Sequence, residues 1–222
     1  MRQVAMIAVL VATASCRSNP PQQGTGSAGP VVASAPTGTP TGTPTGAASG
    51  RDAKQREAVA ALIGTTPPEW NVERWLNSPP VALAELRGSV VLVRWWTAGC
   101  PYCSTSAPAL RAFHRDYGPR GLRVIGMYHH KEDTPFDPRV YEDTARKYEF
   151  AFPLAFDPEW RTFRSWLRDA EGRAVDSGWT SITFVLDRRG VVRHVHPGGQ
   201  YVDGDPAHAD LRTVIERLLA ET

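Results

Sequence analysis

The sequence predicts an α/β fold, a mixed central sheet with helices on both faces. Three observations carry this. "SVVLVRWW" (Ser89 to Trp96) and "LRVIGMY" (Leu122 to Tyr128) are near-continuous apolar runs, as in strands buried on both faces. Between them Leu110, Phe113 and Tyr117 recur at helical spacing. A strand–helix–strand unit of this kind wants parallel strands with a right-handed crossover. Late in the chain, "ITFVLD" (Ile182 to Asp187) and "VVRHVH" (Val191 to His196) flank Arg188-Arg189-Gly190. That pattern reads as a β-hairpin and adds antiparallel strands.

The remaining elements fall in order around these. A short helix over Ala53 to Ile63 precedes the first strand. Three later helices open with an Asp cap and Pro in the first turn: Asp137-Pro138, Asp157-Pro158 and Asp205-Pro206. The middle one carries Trp160, Phe163 and Leu167 on one face. The last carries Leu211, Val214, Ile215, Leu218 and Leu219. The expected order is strand, helix, strand, helix, helix, hairpin, helix. Trp70, Trp75, Trp160 and Trp166 fall at core-like spacings.

The first residues are of another kind. Residues 1–16, "MRQVAMIAVLVATASC", pair a positive start at Arg2 with an apolar run from Val4 to Ala14. The run is shorter than the roughly 20 residues that span a bilayer, and it suits a signal peptide. It ends in small residues before Cys16, which resembles a bacterial lipobox whose cysteine takes lipid. An ordinary signal peptide is the alternative. Residues 17–50 hold no Leu, Ile, Phe, Tyr or Trp and include the repeat "TGTPTGTPTG". Such a segment buries too little apolar surface to offset ordering entropy, and is expected to be a disordered tether. As a flexible coil it reaches about 30–35 Å. The domain is then 51–222, with all seven tryptophans of the chain. Net charge is +2 and no basic block stands out, so nucleic acid is not an expected partner. A monomer is expected.

The chemistry sits in "TAGCPYCSTSAP", where Cys100 and Cys103 follow the first buried strand. A disulfide closing so short a loop removes only roughly 2 kcal/mol of unfolded-state entropy. Structural zinc wants four ligands, and no His stands at finger spacing. The redox reading has a mechanism. Cys100 falls at a helix N-terminus, where unpaired N–H groups and the helix dipole favour the thiolate that attacks a disulfide. Cys103, one turn on, can resolve the mixed disulfide. No cofactor and no metal enter this reading.

The frame "LAELRGSVVLVRWWTAGCPYCSTSAPAL" resembles the membrane-tethered TlpA/ResA-type thiol–disulfide oxidoreductases, redoxins of the thioredoxin superfamily. The likeness includes an aromatic–Trp pair ending at Trp96, then Cys100-Pro101-Tyr102-Cys103, then Pro108. It runs from about Pro67 to Ala220, with an insertion around 135–165. It implies a thioredoxin-like fold, Cys100 as nucleophile and Cys103 as resolving cysteine, forming a redox disulfide between them. It further implies an extracytoplasmic reductase on the periplasmic side of a bacterial membrane, held by lipid on Cys16. Electrons would come from a membrane thiol relay and pass to exported protein disulfides, apocytochrome c among them.

Three residues depart from that pattern. Gly99 stands where the family has a bulky residue. Arg94 replaces a buried Asp or Asn two residues before Trp96. Ser181, after Thr180, takes the place of the cis-proline. A buried guanidinium is costly unless paired, so Arg94 should meet a carboxylate or approach the active site. Near Cys100 it would favour the thiolate; otherwise it pairs with a structural acid on the far side of the strand. Ser181 should make the pocket more polar and more open. Trp179 is a candidate for lining a substrate groove. His129-His130 and His194 with His196 are read as exposed or hydrogen-bonded side chains, with copper binding as the alternative. Two other functions stay in view. Thr97-Ala98-Gly99-Cys100 matches the Thr-x-x-Cys of peroxiredoxin-like peroxidases, and a metal-binding or thiol-sensing lipoprotein needs no catalysis.

Overall fold

The computed structural model describes residues 50–221. The expected signal peptide, Cys16 and all but the last residue of the expected 17–50 tether lie outside them. Six strands form one sheet: β1 (Glu73–Leu76), β2 (Val90–Trp96), β3 (Leu122–Tyr128), β4 (Leu154–Phe156), β5 (Thr183–Leu186) and β6 (Val192–His196). The order across it is β1-β4-β3-β2-β5-β6. β2, β3 and β4 are parallel, while β1, β5 and β6 run antiparallel to their neighbours. The mixed sheet expected from the sequence is present. β1 and β4 add to the expected order, on the side away from the hairpin.

Among the described residues five α-helices accompany the sheet: α1 (Gly50–Ala60), α2 (Pro101–Tyr117), α3 (Pro138–Lys147), α4 (Arg161–Trp166) and α5 (Pro206–Ala220). All seven residues of β2 are buried, because the strand is paired on both edges and covered on both faces. Side chains alternate across a strand, so the adjacent Trp95 and Trp96 part company. Trp96 joins Tyr128, Tyr141, Tyr148 and Phe150 in the core that α2 and α5 cover. Trp95 joins Phe163, Trp166 and Phe184 on the other face, with Trp70 nearby. Trp75 and Trp160 pack against that second cluster. Gly126 on β3 makes room for the Trp96 indole. A Cβ there would come 2.4 Å from Leu154 Cδ2 and 3.1 Å from Trp96 Nε1.

Two of the three Asp-Pro starts behave as expected. Asp137 accepts from Arg139 N–H, and Asp205 from His208 N–H. The third does not. Glu159 and Trp160 take left-handed backbone angles, with φ of 53° and 60°, and α4 begins only after them. The Asp157 carboxylate skips the first turn. It accepts instead from Thr162 N–H and Phe163 N–H, both at 2.8 Å, and from Trp95 Nε1–H at 3.1 Å. Burial raises its pKa above the usual carboxylate range, against those three donors.

This carboxylate ties α4 to the central strand through fully buried groups. Asp157→Ala leaves three buried donors without an acceptor, each worth about 1–3 kcal/mol. The expected loss in urea unfolding is about 3 kcal/mol or more. A loss below about 1 kcal/mol would mean that water reaches those donors.

Candidate active site

β2 ends at Trp96, and a short turn delivers Cys100 to the start of α2. Gly99 makes that turn with φ of +70°, in the left-handed region that suits glycine. This accounts for glycine where the resemblance has a bulky residue. Cys100 is the N-cap of α2, with Pro101 in the first turn. Cys103 N–H donates to Cys100 Sγ at 3.2 Å. The two thiols are free, Cys100 half-buried and Cys103 buried. The structure therefore brings the predicted pair together at a helix N-terminus.

The two sulfurs differ sharply in acidity. Cys100 is lowered to about 6, first by the hydrogen bond from the Cys103 thiol, then by the Cys103 and Tyr102 backbone N–H groups and the charge of Arg94, all against desolvation. At neutral pH the thiolate therefore predominates. Cys103 is pushed far up, first because it donates to Cys100 and then by burial. Arg94 and the Thr97 backbone N–H act on it in the opposite direction.

Arg94 lies on the α2 side of β2 with no exposed surface. Its Nη1–H donates to Thr183 Oγ1 at 3.1 Å, and its Nη2–H to Gly199 O at 2.8 Å. The guanidinium stands 5.0 Å from the centre of the Tyr201 ring. Among the described residues no acid pairs with it, on the far side of the strand or elsewhere. Its partners are a hydroxyl, a carbonyl and an aromatic face, and its field reaches both cysteines. Tyr201 is tied to α2 in turn: its N–H donates to Ser106 Oγ at 3.1 Å.

Cys100 opens on a cleft of about 510 Å³. Thr97, Pro101 and Tyr102 line one side, and Trp179, Thr180 and Ser181 another. Lys131 and Glu132 complete the rim, and sequence reading gave no sign of them. Trp179 meets Tyr102 edge to face, ring centres 5.5 Å apart, so the expected aromatic lining is there. Ser181 is 5% exposed, and the Thr180–Ser181 peptide is trans, with no cis peptide among the described residues. The Thr97 hydroxyl is buried beside the Tyr128 hydroxyl. Trp96 lies behind the cysteines in the core rather than in the cleft.

The histidines scatter. His129 was expected to be exposed or hydrogen-bonded; it is neither. It is fully buried against Trp160 and Phe163, and neither ring nitrogen has a partner. Burial pushes it down to about 3, so it is neutral. It lies just past the end of β3, on the side of the sheet away from α2, which nothing in a His-His pair could reveal. His130 stands beside Glu132, Nδ1 to Oε2 3.0 Å. His194 and His196 line a neighbouring hollow of about 580 Å³ that shares Tyr102 and Trp179 with the cleft. Among the described residues no three His, Cys, Asp or Glu side chains gather as metal ligands.

Comparison with known proteins bears on the family and the fold. The model of the AhpC/TSA family matches residues 63–195. The chain is 30% identical to DipZ of Mycobacterium bovis over 147 residues, which are 62% of this chain and 19% of that one. It is 29% identical over 143 residues to the thiol:disulfide interchange protein DsbE of Xylella fastidiosa, covering 63% of each chain. The described fold is similar to the solution structure of a thioredoxin-like protein in its oxidised form. The TM-score is 0.57 at 22% identity, over 72% of this chain and 98% of that one. The fold is thioredoxin-like. The chain spans about a fifth of DipZ and under two thirds of DsbE.

The pH dependence of Cys100 alkylation tests the electrostatics. Wild type should titrate near 6. Arg94→Met should move the midpoint up, towards the free-thiol value of about 8.5. Coincident curves would make the arginine's charge irrelevant to the thiolate.

Proposed function

Because the chain belongs to the AhpC/TSA family, we propose that it is an extracytoplasmic thiol–disulfide oxidoreductase working through Cys100 and Cys103. One observation carries this reading: an accessible low-pKa thiolate capping a helix, with a buried protonated thiol one turn behind it. The thioredoxin-like fold and the interchange activity in the name of the DsbE relative support it.

The geometry supplies the steps. Cys100 Sγ⁻ attacks one sulfur of a substrate disulfide lying in the cleft. A Cys100–substrate disulfide forms, and the other substrate sulfur leaves as a thiolate. Cys100 then bears no charge and no longer holds the Cys103 proton. The largest influence keeping Cys103 protonated is gone, while Arg94 and the Thr97 N–H still favour its thiolate. Cys103 loses its proton and attacks Cys100 Sγ. The Cys100–Cys103 disulfide closes and the second substrate thiolate departs. Each step is reversible, so the same pair can donate a disulfide.

Partners follow from the same reading. Trp179 and Tyr102 offer an aromatic wall to a peptide beside its cysteine, and Lys131 and Glu132 offer one charge of each sign. The substrates are exported proteins, with apocytochrome c as the case the resemblance implies. A membrane thiol relay exchanges electrons with the pair. Lipid on Cys16 holds the domain to the periplasmic side of a membrane, with residues 17–50 as spacer.

A second reading rests on the Thr97 hydroxyl, three residues before Cys100 on the lining of the same cleft. It could orient a peroxide at Cys100, and an assay of peroxide consumption beside disulfide reduction separates the two.

In insulin reduction, Cys100→Ser should abolish turnover, at least a thousandfold loss being expected when a nucleophile is removed. Cys103→Ser should accumulate mixed disulfides visible on non-reducing gels. Full exchange by Cys100→Ser would end the assignment.

Cys16→Ser should release the protein from the membrane fraction into the soluble extracytoplasmic fraction. Unchanged membrane retention would exclude lipid on Cys16 as the anchor.

A further inference from the structure

Arg94 carries a consequence for the direction of electron flow. The guanidinium is fully buried, and its Nε has no hydrogen-bond partner. None of the ion pairs among the described residues includes it. Its two Nη bonds go to neutral oxygens. A buried cation with neutral partners only is costly, and a nearby anion relieves that cost. The acids its charge acts on are Tyr201, Cys100 and Cys103. The Tyr201 phenol is fully buried, stays protonated and stands 3.3 Å from Thr183 Oγ1. That leaves the thiolate as the counter-anion.

The thiolate exists only while the pair is reduced. Closing the disulfide removes the negative charge and leaves Arg94 without an anion. It also empties the hydrogen bond that Cys103 N–H makes to Cys100 Sγ as a charged acceptor. The open α2 N-terminus favours the anion in the same sense. The Arg94 charge, the Cys103 N–H and the α2 N-terminus therefore all stabilise the reduced form over the disulfide. Where a buried carboxylate would hold a proton and oppose the thiolate, this chain has a permanent cation.

We infer that the domain is an oxidant: its disulfide accepts two electrons from the paired thiols of an exported protein and leaves a disulfide there. The inference rests on the dithiol reading and fixes its direction. A substrate thiolate attacks Cys100 Sγ, and Cys103 Sγ leaves and takes up a proton. The second substrate thiolate attacks the substrate sulfur of the mixed disulfide, and Cys100 leaves as the thiolate beside Arg94. One substrate disulfide is made, the enzyme disulfide is spent, and one proton of the substrate's two goes to solvent. A more oxidising disulfide on a membrane partner renews the pair. The reductase direction implied by resemblance is the opposite outcome of the same experiment.

The experiment equilibrates the full-length chain with glutathione buffers and counts free thiols by alkylation and mass spectrometry. Arg94→Met should need a glutathione ratio at least tenfold more reducing than wild type, about 30 mV for a two-electron couple. Arg94→Lys, which keeps the charge, should stay within about threefold of wild type. A second measurement needs no variant and covers the case in which Arg94→Met does not fold. Reduced wild type should unfold at a higher urea concentration than oxidised wild type, because whatever favours the reduced pair in the folded state must favour folding of the reduced chain. Oxidised protein more stable than reduced, or Arg94→Met equal to wild type, overturns the inference and leaves the dithiol reading intact. No Cys100–Cys103 disulfide at any ratio overturns both.

Discussion

The structure depends on one strand having no solvent side. β2 is paired with β3 and β5 along its edges and covered above and below, so each of its seven side chains is inside. That constraint sends Trp95 to one core and Trp96 to the other. It also fixes where Cys100 emerges, because the strand stops being buried only where the chain turns into α2. A site on such a strand is held by the whole sheet. The price is the demand that anything polar on β2 be satisfied internally, which Arg94 meets at its two Nη groups and not at Nε.

Arg94 meets it without an acid. Thr183 comes from β5, and Gly199 and Tyr201 from the loop after β6. Tyr201 is itself bound to Ser106 of α2, one turn beyond Cys103. The guanidinium is thus clamped between the hairpin and the helix that carries the thiols. Hydroxyl, carbonyl and ring face hold it in place but leave its charge unspent. A carboxylate in the same position would have consumed that charge and left the cysteines with a neutral neighbour.

How much of this could be read in the sequence varies with element length and with who supplies the partner. β3 matches its apolar run residue for residue, and the hairpin strands come within a residue or two. β1 and β4 could not be found the same way. β4 has three residues, too few for a period, and β1 is a half-exposed edge strand with Arg74 at positive φ. The Asp157-Pro158 signal was real but misplaced, because its carboxylate serves donors five and six residues on and a Trp on another strand. The cysteine pair was legible because spacing and the helix start are local. Arg94 stood out as a charge in an apolar run, but its partners lie about 90 to 105 residues away. The burial of His129 likewise depends on α4, which a dipeptide cannot announce.

The division of the tryptophans has a use beyond packing. Five of the seven, Trp70, Trp75, Trp95, Trp160 and Trp166, belong to the face away from α2. Trp96 shares its cluster with Cys103, and Trp179 lines the Cys100 cleft. Thiolates quench indole emission at contact range, whereas a layer of β-sheet separates the other five from the sulfurs. Opening or closing the Cys100–Cys103 bond is therefore expected to alter the emission of Trp96 and Trp179 more than that of the other five, which follow the fold.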